Sequence, residues 1–222
     1  MSDYIHMPAP KGKIAAPEWK HSRKLIAYEP AVKKMEQRVQ EIMEGKKAEL
    51  IWLLEHPPLY SAGTSAKRED LLDSSRFPVY KSGRGGEYTY HGPGQRIIYL
   101  MLDVKRRKAD LRLFIRTLEQ WVIVTLSMLG VDAFTREGAI GIWVNHNGAE
   151  KKIAAIGIRL RHWVSFHGIS INLNPDLDHY DGIIPCGINT HGVTSLVEID
   201  KSLNMAKLDA ALKESFPRFF PC

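Results

Sequence analysis

Apolar residues at Val32, Met35, Val39, Ile42 and Met43 recur at the spacing of one helix face, and Gly45 follows as a stop. The expected helix starts at Ala31, after a short strand near Lys24 to Tyr28 and the pair Glu29-Pro30. Glu49 to Leu54 is a compact apolar run closed by Pro57-Pro58, the pattern of a buried strand. Glu87 to Tyr90 and Arg96 to Leu102 are β-rich segments on either side of the turn Gly92-Pro93-Gly94. Asp110 is a suitable N-cap for a long helix whose stripe is Leu113, Phe114, Trp121, Val122, Leu126 and Leu129, ended by Gly130. That stripe reads as core packing.

Farther along, Ile140 to Val144 and Ile153 to Leu160 flank Asn145-His146-Asn147-Gly148, whose Asn-Gly pair is a hairpin signal. Trp163 to Leu173 is β-rich until Asn174-Pro175 breaks it, and a short helix near Met205 to Ser215 closes the chain. Strands joined by tight turns, with two or three helices, predict an α/β (α+β) single domain. No repeat or low-complexity linker divides it. Residues 1–20 carry Pro8, Pro10 and Pro17 and read as a flexible tail, leaving 21–222 as the domain.

Composition changes the picture little. The 222 residues are 44% hydrophobic and 25% charged, ordinary for a globular domain. The net charge of +6 favours an acidic partner. Nucleic acid, an anionic membrane surface and an acidic carrier protein all satisfy that number. Nucleic acid is the weakest of the three, because the one basic block, Lys105-Arg106-Arg107-Lys108, reads as a solvated loop. No apolar run approaches the ~20 residues of a membrane span. The N-terminus has no secretory h-region. Two cysteines, Cys186 and Cys222, make no disulfide framework, and a reducing cytosol fits them best.

The richest chemistry lies in Arg84-Gly85-Gly86-Glu87-Tyr88-Thr89-Tyr90-His91-Gly92-Pro93-Gly94-Gln95, where five of twelve residues are Gly or Pro. Such a segment can present main-chain N–H groups to a ligand while Arg84, Thr89 and His91 add side-chain contacts. Taken alone it is also an ordinary turn. Cys186, between Pro185 and Gly187, is aimed as a nucleophile would be, although a free cysteine is more often a small buried hydrophobe. At neutral pH a thiol needs a neighbouring base or cation to become a thiolate. Lys152, His167, His91 and His191 are the candidates. Lys152 opens an apolar strand, where desolvation would ease proton exchange, or it is a plain edge lysine. Lys151 points to the opposite face. His162 and His167, with one distant Cys, lack zinc-ligand spacing, so no metal is expected.

These residues together resemble the octanoyltransferase family. The resemblance rests on Glu55-His56-Pro57-Pro58, Arg84-Gly85-Gly86 through Thr89, His91-Gly92-Pro93-Gly94-Gln95, and Lys152-Ile153 with Ile156-Gly157. It continues through Phe166-His167-Gly168, Asn172, Pro185-Cys186-Gly187 and Val193-Thr194-Ser195-Leu196. Each motif is weak, but they fall in family order from Tyr28 to Leu196. The resemblance implies a fold like that of biotin and lipoate protein ligases, with a mixed β-sheet, flanking helices and a cleft for an acyl chain. It implies transfer of an octanoyl group from acyl carrier protein to a lysine of a lipoyl domain. It also implies Cys186 as the nucleophile and Lys152 as its acid/base partner. Implied substrate contacts are Arg84, Gly85, Gly86, Glu87, Tyr88, Thr89, Tyr90 and His91, then Ala155, Ile156 and Gly157, and Gly168, Ile169 and Ser170. Tyr88 and Arg96 depart from the family's smaller or apolar residues and bear on pocket shape.

No cofactor is expected, because passing an acyl group from a thioester to an amine is downhill without ATP. The expected partners are acyl carrier protein and the lipoyl domains of dehydrogenase complexes and of the glycine-cleavage carrier. A cytoplasmic monomer that binds neither nucleic acid nor membrane completes the expectation. Three other functions fit parts of the sequence: an ATP-dependent lipoate or biotin ligase, a cysteine thioesterase, and a non-catalytic carrier-binding module.

Overall fold

In the computed structural model, which describes residues 4–10, 12, 15–184 and 192–222, the chain is built around one large sheet and one small one. The strands are β1 (Glu18–His21), β2 (Leu50–Leu54), β3 (Leu59–Ala62), β4 (Val79–Lys81), β5 (Tyr88–His91), β6 (Gln95–Met101), β7 (Phe134–Arg136), β8 (Ala139–His146), β9 (Ala149–Arg161) and β10 (Val164–Asn172). The helices are α1 (Tyr28–Met43), α2 (Val104–Arg107), α3 (Leu111–Ser127), α4 (Leu196–Ile199) and α5 (Met205–Ser215). The large sheet runs β1-β2-β6-β10-β9-β8-β7, with β1 parallel to β2 and every other pair antiparallel. The small sheet runs β4-β3-β5, with one parallel and one antiparallel pair. This is the mixed α/β single domain expected from the sequence, with helices on both faces of its main sheet.

Strand alternation sets the layers. Ile98 and Leu100 of β6 point into a core shared with Phe114, Leu118, Trp121 and Val122 of α3 and Leu208 and Leu212 of α5. Ile97, Tyr99 and Met101 point the other way, against Ala31, Met35, Val39 and Ile42 of α1. Because both faces are covered, β6 is buried at every position, and from Ile97 to Met101 its sequence is a continuous apolar run rather than an alternating one. Each fully buried aliphatic or aromatic side chain contributes about 1.5–3 kcal/mol relative to exposure.

Several local expectations hold in detail. Asp110 caps α3, its side chain accepting from Leu113 N at 3.0 Å. The helix expected near Met205 to Ser215 forms as α5. Asn147 and Gly148 both adopt positive φ, +53° and +77°, in the tight turn joining β8 to β9.

Other expectations differ. No strand forms at Lys24 to Tyr28; α1 begins at Tyr28, and Pro30 is tolerated because the first helical turn has no N–H acceptor to lose. The edge strand lies earlier, at β1, where Glu18 to His21 pair with Leu50 to Leu53. The stretch read as a flexible tail is also tied down in its described parts. Met7 is buried in the α3–α5 core and its N–H donates to Phe219 O at 2.9 Å, while the Tyr4 ring meets Phe219 edge-on. Three prolines obscured those apolar anchors. The small sheet was visible only as β5, since β4 has three residues and β3 follows directly on Pro57-Pro58, which reads as the end of a strand.

Just before β2, Glu49 holds the segment that leaves β6 and forms α2. Its carboxylate accepts from both Arg107 Nη atoms, at 2.8 and 2.9 Å, and from Asp103 N at 2.8 Å, with both charged side chains buried. Arg107 therefore lies outside the solvated loop in which the sequence placed it.

Candidate active site

A narrow cleft of about 60 Å³ lies between the large sheet and the β5 side of the small one. Its floor exists because four facing positions on two neighbouring strands carry almost no side chain. Ala155 pairs with Ser170, and Gly157 pairs with Gly168. A Cβ at Gly168 would stand 1.9 Å from Ile98 O, so no larger residue fits there without moving β6. The roof comes from the glycine-rich segment, through Arg84, Gly86, Glu87, Tyr88, Thr89 and His91. Ile156 and Ile169 also line the cleft.

Of the fourteen substrate contacts implied by the sequence, Gly85 and Tyr90 are not lining residues. Gly85 instead donates its N–H to Ile158 O at 3.1 Å, tying the roof to β9. Tyr90 falls on the other face of β5, where its hydroxyl meets His179 Nδ1 at 2.8 Å among Tyr60, Phe77 and Tyr180. Arg84 is a clamp on the roof. Its Nη2 donates to Ser61 O at 2.7 Å, Ser61 Oγ at 2.8 Å and Glu87 O at 2.9 Å, and its Nη1 donates to Gly85 O at 3.0 Å. Four residues absent from the sequence reading of the cleft also line it: Tyr28, Ile97, Tyr99 and His167. For Ile97 and Tyr99 the signal was available, since alternation along β6 sends both to one face.

Lys152 sits beyond one end of this cleft. It lines a smaller cavity with Thr89, Ala154, Ala155, Asn172, Tyr180 and Val193, and shares Thr89 and Ala155 with the main cleft. The side chain is only 7% exposed, its Nζ donates to Ile140 O at 3.0 Å, and the ammonium stands 4.9 Å from the Trp143 ring centre. The strand geometry produces this placement. Ile142 pairs with Ala154 but Trp143 pairs with Lys152, so β9 carries one extra residue, Ile153. A bulge of this kind re-aims the neighbouring side chain. Gly141 supplies the space, because a Cβ there would lie 3.1 Å from Lys152 Cε. Lys151 is half-buried and lines neither cavity. Burial raises the carboxyl pKa of Glu119 on α3, and the Gly141 N–H, Arg116 and, least, Lys152 oppose that shift.

Cys186 and His191 lie outside the described residues, as do Pro185 and Gly187. The chain on either side is defined. Ile184 N donates to Asp70 O at 2.8 Å, and Gly192 O accepts from Lys152 N at 3.0 Å.

Buried imidazoles border the cleft. His91 is held between Gln95 Oε1, 2.7 Å from Nδ1, and Ser61 Oγ, 3.2 Å from Nε2. His56 contacts Tyr99 OH at 2.7 Å through Nε2. Burial is the main cause that lowers all three nearby histidine pKa values, His56 to about 4 and both His91 and His167 to about 3. At neutral pH they are uncharged, so the cleft presents no positive charge of its own from imidazole. A neutral His91 donates its Nδ1–H to Gln95 Oε1, which leaves Nε2 to accept from the Ser61 hydroxyl, so its ring is fixed as part of the wall. Gln95 links this group to the lysine end: its Nε2 donates to Asn172 Oδ1 and Tyr180 OH, both at 2.9 Å. Asn172 Nδ2 in turn donates to Thr194 O at 3.1 Å. Among the described residues no group of three or more His, Cys, Asp or Glu could hold a metal ion. Nor is any of their helices long and apolar enough to cross a membrane.

The arrangement is a narrow slot with a buried amine near one end. The lipoyl protein ligase A/B catalytic domain model matches residues 27–217. The octanoyltransferase of Parvibaculum lavamentivorans is 54% identical over 211 residues, covering 93% of this chain and 94% of that protein. That of Paramagnetospirillum magneticum is 55% identical over 204 residues, covering 91% and 96%. Among solved structures, lipoate-protein ligase A bound with ATP superposes with a TM-score of 0.66 at 16% identity, covering 91% of this chain and 85% of that one. A chain of the archaeal lipoylation system of Thermoplasma acidophilum gives 0.67 at 17%, covering 92% and 84%. At such identities the structural likeness shows the fold alone, whereas the curated relatives are close enough to show the family. The chain belongs to the lipoyl protein ligase A/B catalytic domain family and, within it, to the octanoyltransferases.

Proposed function

We propose that this protein is an acyltransferase that moves an octanoyl group from octanoyl-acyl carrier protein to a lysine of a lipoyl domain, through a thioester on Cys186. The observation that carries this reading is the slot floored by Ala155, Gly157, Gly168 and Ser170, which leads to the buried amine of Lys152. Dehydrogenase-complex lipoyl domains and the glycine-cleavage carrier are the acceptors it would serve, in the cytoplasm and as a monomer. The basic net charge of +6 fits acidic carriers.

The chemistry balances without a cofactor. The Cys186 thiolate attacks the donor's thioester carbon, and the resulting tetrahedral adduct expels the pantetheine sulfur, which takes a proton from the Lys152 ammonium. Lys152 is then neutral. The acceptor's amine attacks the Cys186 thioester, a C–N bond forms, and the C–S bond to Cys186 breaks. Lys152 takes the proton lost by the amine, and the thiolate–ammonium pair is restored. Exchange between two thioesters is nearly balanced, so the first half depends on positioning. Main-chain N–H groups of the glycine-rich roof or beside Cys186 are candidates to hold the oxyanion.

The test is intact mass spectrometry of the protein mixed with octanoyl-acyl carrier protein, without ATP, followed by addition of a lipoyl domain. One octanoyl group should appear on the enzyme and then on the acceptor. A requirement for ATP, with an acyl-adenylate formed, would favour the ligase reading. Release of free octanoate in the presence of acceptor would favour a thioesterase.

A further inference from the structure

The cleft has a second end, and a wall closes it. Its axis follows β9 and β10. Lys152 and Asn172 line the small cavity at one end, Ala155, Gly157, Gly168 and Ser170 line the middle, and His167 lies toward the other end. Immediately past His167 is a separate groove of about 440 Å³, lined by Tyr28, Val32, Lys33, Lys81, Arg159 and Phe166 among others. Tyr28 and His167 line both the cleft and the groove. They are therefore the partition between an apolar slot and a charged groove. Both are buried, 5% and 4% exposed.

The partition is braced from several sides. The Tyr28 ring packs against Tyr80 at 5.1 Å and against His56 at 5.5 Å. The His167 ring stacks on Phe166 at 5.1 Å and meets Tyr99 edge-on at 6.1 Å. His167 also has φ of +61° within β10, the left-handed region that a non-glycine residue adopts only at a cost. This backbone conformation directs the ring at a position where an ordinary strand residue would not put it.

We infer that Tyr28 and His167 set the length of the acyl chain, acting as the stop against which the methyl end of a medium chain rests. The inference rests on the transferase reading for which end holds the carbonyl. A chain longer than the slot must displace the aromatic wall and enter an open groove carrying Glu29, Lys33, Glu36, Lys81 and Arg159, where its methylenes gain less burial than inside the slot. Selection is thus by exclusion at the tail and not by contacts at the carbonyl.

His167→Gly and Tyr28→Ala test the inference. The first variant removes the ring at a backbone conformation that suits glycine, so the strand keeps its path. Wild type and both variants are assayed for transfer from octanoyl- and dodecanoyl-acyl carrier protein, and by calorimetry for binding of free octanoate and dodecanoate. Folding of each is checked by thermal melting. The dodecanoyl-to-octanoyl ratio should rise at least about tenfold in either folded variant, because the volume the ring vacates extends the slot itself and takes up part of the four extra methylenes. An unchanged ratio in both assays overturns the inference. If wild type transfers nothing but His167→Gly raises the dodecanoate-to-octanoate affinity ratio, the stop is upheld and the transferase reading fails instead.

Discussion

Lys152 and Gly192 are joined through their main chains: Lys152 N donates to Gly192 O at 3.0 Å, and Lys152 O accepts from Thr194 N at 3.0 Å. The strand carrying the buried amine thus also holds the residues that follow the Cys186 segment. The two groups proposed to exchange protons are 34 residues apart in sequence, yet Cys186 is only six residues from a hydrogen bond to Lys152's own backbone. A side-chain pair that must meet within a hydrogen-bond length benefits from such a tether, since orientation set by the fold is not paid again during reaction.

Lys152→Ala should lower transfer by about 10²–10⁴-fold, the usual range for loss of a positioned acid/base. Lys151→Ala should change it little, because Lys151 lines neither cavity. Steady-state rates with saturating donor check both. Equal losses would mean that net charge, and not the buried amine, is what matters.

Cys186→Ala should abolish the octanoyl adduct seen by mass spectrometry. Cys186→Ser should fail to form a thioester, with any adduct surviving hydroxylamine as a slower ester would. Undiminished transfer by Cys186→Ala would refute covalent catalysis.

Filling the slot should separate binding from folding. Ser170→Leu places a branched side chain opposite Ala155, where the floor must stay low. The expected result is a normal melting temperature within a few degrees and loss of acyl loading. Gly168→Ala should instead fail by unfolding, because its Cβ would meet Ile98 O; a folded and active Gly168→Ala protein would contradict the described packing of β10 on β6.

Acid should destabilise the fold through His56, His91 and His167. Their folded pKa values, about 4, 3 and 3, lie below the ~6.5 of an unfolded histidine. The unfolded chain therefore binds more protons, and stability present above pH ~6.5 is lost as pH falls toward the folded values, by up to about 1.4 kcal/mol per pH unit for each histidine. Denaturant melts between pH 7 and 5 measure the slope. His56→Gln should flatten it, and an unchanged slope in that variant would remove His56 from the account.

The buried pair of Glu49 and Arg107 offers a stability test away from the cleft. Arg107→Ala strands a carboxylate at 3% exposure that also holds Asp103 N, and should cost about 3–5 kcal/mol. Replacing both charged residues together by apolar ones should cost less. Chemical denaturation of the single and double variants gives the comparison.

Much of this was legible in the amino-acid order. Helix α1, the Asp110 cap, the Asn147-Gly148 turn and the 205–215 helix all depend on signals within a few residues, so the chain announces them locally. The ordered motifs also marked the floor and the roof of the cleft, because glycines at 157 and 168 and the Arg84–His91 segment are chemically unusual wherever they occur. Only the tertiary structure decided what those residues enclose. Tyr90 and His91 are adjacent, yet strand alternation sends one to the Tyr180 cluster and the other to the cleft. The bulge that aims Lys152 arises from pairing with β8, which no window of β9 alone can show. Tyr28 and His167 form one wall from positions 139 residues apart, and the docking of Met7 needs Phe219 at the far end of the chain. Local chemistry chooses the elements; contacts between distant segments choose which faces meet, and here they shape the cavity.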